Sequence, residues 1–203
     1  MLTARQRIYL PFKRFGDIFC SLLALLVFSP LYLILAILVK ATSKGPVLFK
    51  QKRLGKNKKP FYILKFRTML VNTDPNTPTH MLENPDACIT RIGRFLRKTS
   101  LDEIPQALNI LVGHMSIIGP RPALWNQDDL IIERDKYGAN AIRPGLSGWA
   151  QCNGRDELSI ERKAELDGEY MCRFNVWFDI QIIFISLFKG FSGKGEKEGK
   201  RQP

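Results

Sequence analysis

A chain of 203 residues that is 45% hydrophobic can bury one ordinary core with a small appendage, and its composition excludes a disordered protein. The net charge of +12 and sequence pI near 9.7 call for an anionic partner: nucleic acid, an anionic membrane surface or a phosphorylated substrate. The four cysteines (Cys20, Cys88, Cys152, Cys172) are widely spaced and form no CxxC pair, and His80 and His114 are isolated, which argues against a disulfide framework and a zinc or histidine metal site.

The cysteines fit a reducing compartment and read as small buried hydrophobes. In chain order, residues 1–16 mix Arg5, Arg7, Lys13 and Arg14 with Ile8, Tyr9, Leu10, Phe12 and Phe15, the pattern of an interfacial lead-in to a membrane. From Ile18 to Val39 there is no charged residue, a length that can span a bilayer. It is too long for a signal-peptide core, and no cleavage site follows. Pro30 stands at its midpoint and must kink or break a helix. Both flanks are basic: Lys13 and Arg14 precede the run, while Lys40, Lys44, Lys50, Lys52 and Arg53 follow it. The positive-inside rule then places both ends on the cytosolic side. A re-entrant helical hairpin over 17–44, broken at Ser29-Pro30, satisfies both facts, with the Ser29 hydroxyl available to a freed backbone group. Its arms would be about eleven residues, or roughly 16 Å each. A proline-kinked single span is the competing reading, and residue physics alone does not separate the two.

Residues 45–191 form the domain proper. Residues 47–53 and 61–68 read as short strands joined by a turn at 55–60. The segment 71–87 is a polar loop. Helices are expected at Ile89–Lys98, Ile104–Val112, Ser159–Arg173 and Val176–Phe191, the last amphipathic and interrupted by Asp179 and Gln181. Gly- and Pro-rich loops cover 117–127 and 143–155, where ligand contacts gather. Residues 192–203 are a disordered basic tail. The fold class is α+β: a mainly helical cytosolic domain with a small β-hairpin and interfacial amphipathic helices on a membrane anchor.

Asp102 and Glu103 are the only acids between Asp86 and Asp128, and Arg91, Arg94, Arg97 and Lys98 precede them. Adjacent carboxylates among guanidinium groups suit phosphate chemistry, since they can hold a divalent metal or attack phosphorus. The plainer reading is a capping box, Ser100 at the N-cap and Glu103 at N3. Pro105 suits a helix starting at Asp102 instead. Either puts the pair at a helix N-terminus, which also favours phosphate. Arg91, Arg94 and Arg97 share a helical face, whose plain reading is a solvated one. Gly119-Pro120-Arg121-Pro122 is a rigid loop with one forked donor. Lys65 and Arg67 lie on one side of a strand.

The ordered set Lys13-Arg14-Phe15-Gly16-Asp17, Ser29-Pro30, Lys65-Phe66-Arg67-Thr68-Met69, Ser100 to Gln106, Gly119-Pro120-Arg121-Pro122 and Arg143 to Arg155 resembles the bacterial sugar transferase family, the small monotopic phosphoglycosyl transferases of the PglC type. The likeness runs from about Lys13 to Leu187. It implies transfer of a sugar 1-phosphate from a UDP-sugar to polyprenyl (undecaprenyl) phosphate through a covalent aspartyl phosphosugar intermediate, with release of UMP. It further implies Mg²⁺, re-entry, and the cytosolic face of the bacterial inner membrane. By that resemblance Asp102 is the nucleophile and Glu103 helps hold Mg²⁺, with Asp102 also in the metal set. Arg97 and Arg121, flanked by Pro120 and Pro122, contact phosphate, and Lys65, Arg155, Asp167 and Asp179 match further functional or supporting positions. His114 departs from the acid usual before Met115-Ser116. The expected partners are UDP-sugar, undecaprenyl phosphate and membrane lipids, without nucleic acid; a homo-oligomer is left open. The rival class is a membrane-anchored basic module that binds anionic lipid or nucleic acid without catalysis. It accounts for the charge and the apolar run but not for the acid pair.

Overall fold

A computed structural model describes residues 2–71, 73, 85–154 and 157–192, with the side chains of 85, 86 and 189–192 outside that description. Most of the expected 71–87 loop, Arg155, and residues 193–203 of the expected tail lie outside it as well.

Helix α1 (Ala4–Val27) starts at a capping box in which the Thr3 hydroxyl accepts from Gln6 N and the Gln6 side chain accepts from Thr3 N. The amphipathic lead-in is therefore helical and joins the apolar run without a break, through Pro11 and Gly16. Helix α2 (Ser29–Thr42) follows after Phe28, with Pro30 in its first turn, where a missing N–H is tolerated. The two axes differ by 64°. Ser29 Oγ donates to Leu26 O at 2.9 Å, the satisfaction expected for a broken apolar helix. The break at Phe28 falls in the middle of the uncharged run, and α1 reaches 24 residues against 14 in α2 because it also takes in the lead-in. Among the described residues no single helix is long and apolar enough to cross a membrane, whereas the bent pair together passes that test by length and composition. Phe19, Leu22, Leu26, Leu33, Ile34 and Ile37 are exposed on it.

Strands β1 (Leu48–Leu54) and β2 (Pro60–Phe66) pair antiparallel with Gln51 opposite Ile63. Their turn places Asn57 and Lys58 in the left-handed region. Helix α3 (Pro85–Cys88) leads to α4 (Arg91–Lys98), then a 3-10 turn (Leu101–Glu103) and α5 (Gln106–Val112). Strand β3 (Ser116–Ile118) pairs parallel with β4 (Gly145–Ser147) across α6 (Asp128–Lys136). Helices α7 (Trp149–Cys152), α8 (Ile160–Cys172) and α9 (Val176–Ser192) complete the chain. The two Gly/Pro segments read as loops are thus joined by a short parallel ladder. Gly119 N donates to Ser147 O, and Gly145 N donates to Pro120 O, both at 2.9 Å. Glycine is required because a Cβ at Gly145 would lie 2.1 Å from Gly119 N.

Three contacts seat α1 on the rest. Arg14 donates to Ile110 O and Leu111 O at the end of α5, where a cation also meets the negative end of the helix. Asp17, buried, accepts from Ser116 Oγ and Ile117 N. Gln6 Nε2 donates to Met171 O at 2.7 Å. The expectation of buried cysteines holds for Cys152 alone; Cys20 and Cys172 are exposed, Cys20 on the apolar helix, where an exposed face is an apolar one.

Gly145→Ala should lower the thermal midpoint of the detergent-solubilised protein, since overpacking against backbone costs about 1–3 kcal/mol. Gly16→Ala, whose Cβ would meet nothing within 4 Å inside α1, should hold or raise it. Equal midpoints for the two variants would contradict the close approach of the ladder.

Candidate active site

The period of two along β2 turns Phe61, Ile63 and Lys65 to the same face. Phe61 and Ile63 are buried, and with Ile110 and Met115 they anchor that face in the core. Asn109 fixes the strand further: its Oδ1 accepts from Leu64 N at 2.9 Å and its Nδ2 donates to Tyr62 O at 2.8 Å. Lys65 is thereby carried to the acid pair, with Nζ 2.6 Å from Glu103 Oε1 and 3.9 Å from Asp102 Oδ2.

The acid pair is not built as a capping box. Ser100 has φ 55, in the left-handed region, and its side chain makes no cap hydrogen bond. Asp102 and Glu103 sit in the 3-10 turn, closed by Glu103 N to Ser100 O at 3.2 Å. The α-helix begins only at Gln106, after Pro105, so neither predicted helix start is realised. Pro105 sets this register, because its ring cannot join the interior of a helix. A helix N-terminus directly beneath the carboxylates is therefore replaced by cations around them.

Those cations come from three elements. Lys65 is described above. Arg97, in the last turn of α4, has a charge close enough to help hold the Asp102 proton affinity down. Arg121 Nη2 is 3.8 Å from Glu103 Oε1, and its side chain is 42% exposed, which leaves a guanidinium facing solvent beside the acids. Arg91 and Arg94 are exposed, the solvated face of α4. Asp102 is 8% exposed. Burial pushes its carboxyl up to about 6, and Glu103 adds to the rise, against the opposing charges of Lys65 and Arg97.

The loop carrying Arg121 is clamped. Pro120 and Pro122, both buried, flank it. Arg53 Nη1 on β1 donates to Pro122 O at 2.9 Å. Arg134 Nη1 on α6 donates to Arg121 O at 2.9 Å, and Arg134 Nε and Nη2 each meet Asp167 Oδ2 at 2.7 Å. Burial raises the Asp167 proton affinity and Arg134 opposes it. Asp167 thus lies behind the loop and acts on it through Arg134. Below the acid turn, Leu101 and Ile104 pack on Leu35, Val39, Phe66 and Leu96, and the Tyr32 hydroxyl on α2 donates to Ile104 O.

Asp102, Glu103, Lys65, Arg97, Arg121, Pro120 and Pro122 are therefore brought together. Asp179 is not among them: it accepts from the Tyr9 and Tyr170 hydroxyls, each at 2.7 Å, and pairs with Lys13, which ties α9 to α1 and α8. Arg155 lies outside the described residues. His114 is exposed and packs on the Phe61 ring at the far end of α5 from the acids. Tyr32, Asn109 and Arg134 carry no local motif, and in the sequence Arg53 reads only as part of the basic flank; the contacts to Ile104, Leu64, Asp167 and Pro122 that give them a place around the site span 33 or more positions.

Among the described residues no cluster of three or more acidic, histidine or cysteine side chains could cage a metal. Asp102 and Glu103 offer hard oxygen donors side by side. That donor set fits Mg²⁺, which keeps several waters and binds through one or two carboxylates with substrate phosphates.

Residues 8–193 match the family described as "Bacterial sugar transferase". The chain is 42% identical over 189 residues to the UDP-glucose:undecaprenyl-phosphate glucose-1-phosphate transferase of Escherichia coli (strain K12), covering 90% of this chain and 40% of that protein. It is 38% identical over 196 residues to the UDP-N-acetylgalactosamine-undecaprenyl-phosphate N-acetylgalactosaminephosphotransferase of Aeromonas hydrophila, covering 94% of this chain and 46% of that protein. It is 40% identical over 196 residues to the exopolysaccharide production protein PSS of Rhizobium leguminosarum bv. phaseoli, covering 90% and 97%. The chain thus spans less than half the length of the first two of these proteins and nearly all of the third.

Between about pH 4 and 6 the folded chain holds the Asp102 proton more tightly than the unfolded chain does, so stability falls as pH rises through that window and levels off above it. The cost above pH 6 is up to about 3 kcal/mol. Asp102→Asn should therefore melt higher than the parent at pH 8 and gain nothing at pH 4. A difference independent of pH, read by thermal unfolding at both values, would contradict the burial of a strained carboxylate.

Proposed function

The chain belongs to the bacterial sugar transferase family, and on that premise we propose that it moves a sugar 1-phosphate from a UDP-sugar to polyprenyl (undecaprenyl) phosphate. The observation that carries the reading is a buried carboxylate, Asp102, held beside Glu103 with Lys65 and an open Arg121 guanidinium within 4 Å of the pair.

In the proposed first step an Asp102 carboxylate oxygen attacks the sugar-bearing phosphorus. The bond from that phosphorus to the bridging oxygen breaks, and the oxygen leaves on UMP. In the second step an oxygen of polyprenyl phosphate attacks the same phosphorus. The bond to Asp102 breaks, the carboxylate is restored, and the product is a polyprenyl diphosphate sugar. An aspartate near 6 is ionised at neutral pH and can attack, and its carboxylate is still a weak enough base to leave. Arg121 and Arg97 orient phosphate oxygens and offset their charge, the main work in phosphoryl transfer. Lys65 is shared between Glu103 and Asp102, and its charge opposes the rise that burial imposes on Asp102. Glu103 and Asp102 would hold Mg²⁺, which when bound would further neutralise the diphosphate. Arg134 and Asp167 keep the Arg121 loop in place.

The bent helix pair is proposed to enter and leave the bilayer on one side, the inner face of the bacterial cytoplasmic membrane. Exposed apolar residues on both arms support that reading, as do those of α9, where Trp177, Phe184 and Phe188 face outward. The acid turn packs directly on α2, which puts it within reach of a lipid phosphate and a soluble nucleotide at once. Glucose and N-acetylgalactosamine both occur in the names of similar proteins, and the donor sugar of this chain is identified by a panel of UDP-sugars.

With polyprenyl phosphate and Mg²⁺, UMP release is expected from at least one UDP-sugar and is expected to drop at least 1,000-fold in Asp102→Asn. No release from any sugar, together with salt-sensitive binding of nucleic acid, would support a non-catalytic basic module instead. Reporter tags placed before Arg5 and after Lys200 should both report the cytosolic side; a periplasmic N-terminus would mean a single span.

A further inference from the structure

We infer that a basic recess at the base of α1, apart from the acid turn, binds the phosphate of an anionic phospholipid headgroup. The recess is shallow and open to solvent. Lys13, Arg14 and Asp17 reach it from α1, Lys56 from the β1–β2 turn, and Arg143 from the segment before β4. Its one carboxylate, Asp17, accepts from Ser116 Oγ at 3.0 Å and Ile117 N at 2.9 Å, and its charge offsets that of Arg14 in part. Lys13 is paired with Asp179. Arg14, Arg143 and Lys56 are without an ion-pair partner among the described residues.

Two of these cations are held in place and only partly compensated. Arg14 Nη1 and Nη2 donate to Ile110 O and Leu111 O at 2.6 and 2.8 Å, and Arg143 Nε donates to Gly113 O at 2.8 Å. The end of α5 and Asp17 compensate Arg14 only in part, since burial and the neighbouring Arg143 charge still lower its proton affinity. A phosphate oxygen set between the two guanidinium groups and Lys56 removes that repulsion and matches the forked donors.

A membrane lipid fits better than a soluble phosphate because of what lies beside the recess. Leu10 lines it, and the uncharged run from Ile18 to Val39 begins on the same helix four positions beyond Arg14. A headgroup phosphate held at Arg14 is therefore about one helical turn from apolar helix that acyl chains can cover. The recess lies at the C-terminal end of α5, while Asp102 and Glu103 precede its N-terminal end, and the seven-residue helix between them is about 10 Å long. A phosphate held here cannot be the one transferred. The inference rests on the membrane seating of α1 but not on the transfer chemistry.

The full chain in a neutral detergent is tested with dioctanoyl phosphatidylglycerol, dioctanoyl phosphatidylcholine and inorganic phosphate. Phosphatidylglycerol at ten times its dissociation constant should raise the thermal midpoint by about 3–5 °C. Phosphatidylcholine should not. Lys56→Glu and Arg143→Gln should lose the rise, while Lys59→Glu, an exposed control on the same turn, should keep it. An equal rise in Lys56→Glu and in the parent would overturn the site. Inorganic phosphate matching the lipid at equal concentration would assign the recess to a soluble anion and overturn the lipid source. Flotation of the parent with phosphatidylcholine vesicles reports the seating of α1 separately, so its failure is distinguishable from failure of the recess.

Discussion

Two adjacent carboxylates can share a largely buried turn only if cations share it with them. Each charge loses hydration on burial, and the pair repels itself. The arrangement around Asp102 and Glu103 answers that constraint from three directions: Lys65 from the hairpin, Arg97 from α4 and Arg121 from the loop after β3. The answer is incomplete by design of the burial, since Asp102 still rests near 6. A fully compensated aspartate would be a poor nucleophile and a settled ion pair. An uncompensated one would simply hold its proton. The turn sits between those limits, at the cost of stability that a site of this kind commonly carries.

The supporting shell follows from the same need. Lys65 is only as well placed as β2, and Asn109 acts as a peptide mimic that pins β2 to α5. Arg121 is only as well placed as its loop, which has four constraints: its two prolines, Arg53, Arg134 with Asp167 behind it, and the glycine ladder at Gly119 and Gly145. The acid turn in turn rests on α2 through Leu101, Ile104 and the Tyr32 hydroxyl. The apolar helix pair is therefore part of the site's foundation as well as its proposed anchor. A movement of α2 at Ser29-Pro30 would be transmitted to the backbone one residue beyond Glu103.

Much of this was legible in the sequence because it is local. The break at Ser29-Pro30, the hairpin and the helices at 91–98, 160–172 and 176–192 follow from periodicity and from proline and glycine chemistry. The acid pair stood out against a basic background. What failed was also local: the Ser100-x-x-Glu103 pattern promised a capping box, but Ser100 takes left-handed backbone and Pro105 delays the α-helix to Gln106. The ladder between β3 and β4 was hidden because each strand is three residues long and reads as loop. Arg134 and Tyr32 were hidden because their partners are 33 and 72 residues away. Asp179, which the resemblance marks as a functional or supporting position, takes a buried place joining α1, α8 and α9.

The central claim, that Asp102 itself takes the phosphosugar, is tested most directly by locating the adduct. The protein is quenched after exposure to its UDP-sugar without acceptor, digested, and mapped by mass spectrometry. The account predicts one phosphosugar, on Asp102, discharged when polyprenyl phosphate is added before the quench. An adduct on Glu103 or on any other residue, or full turnover with no covalent adduct at any time, would contradict it.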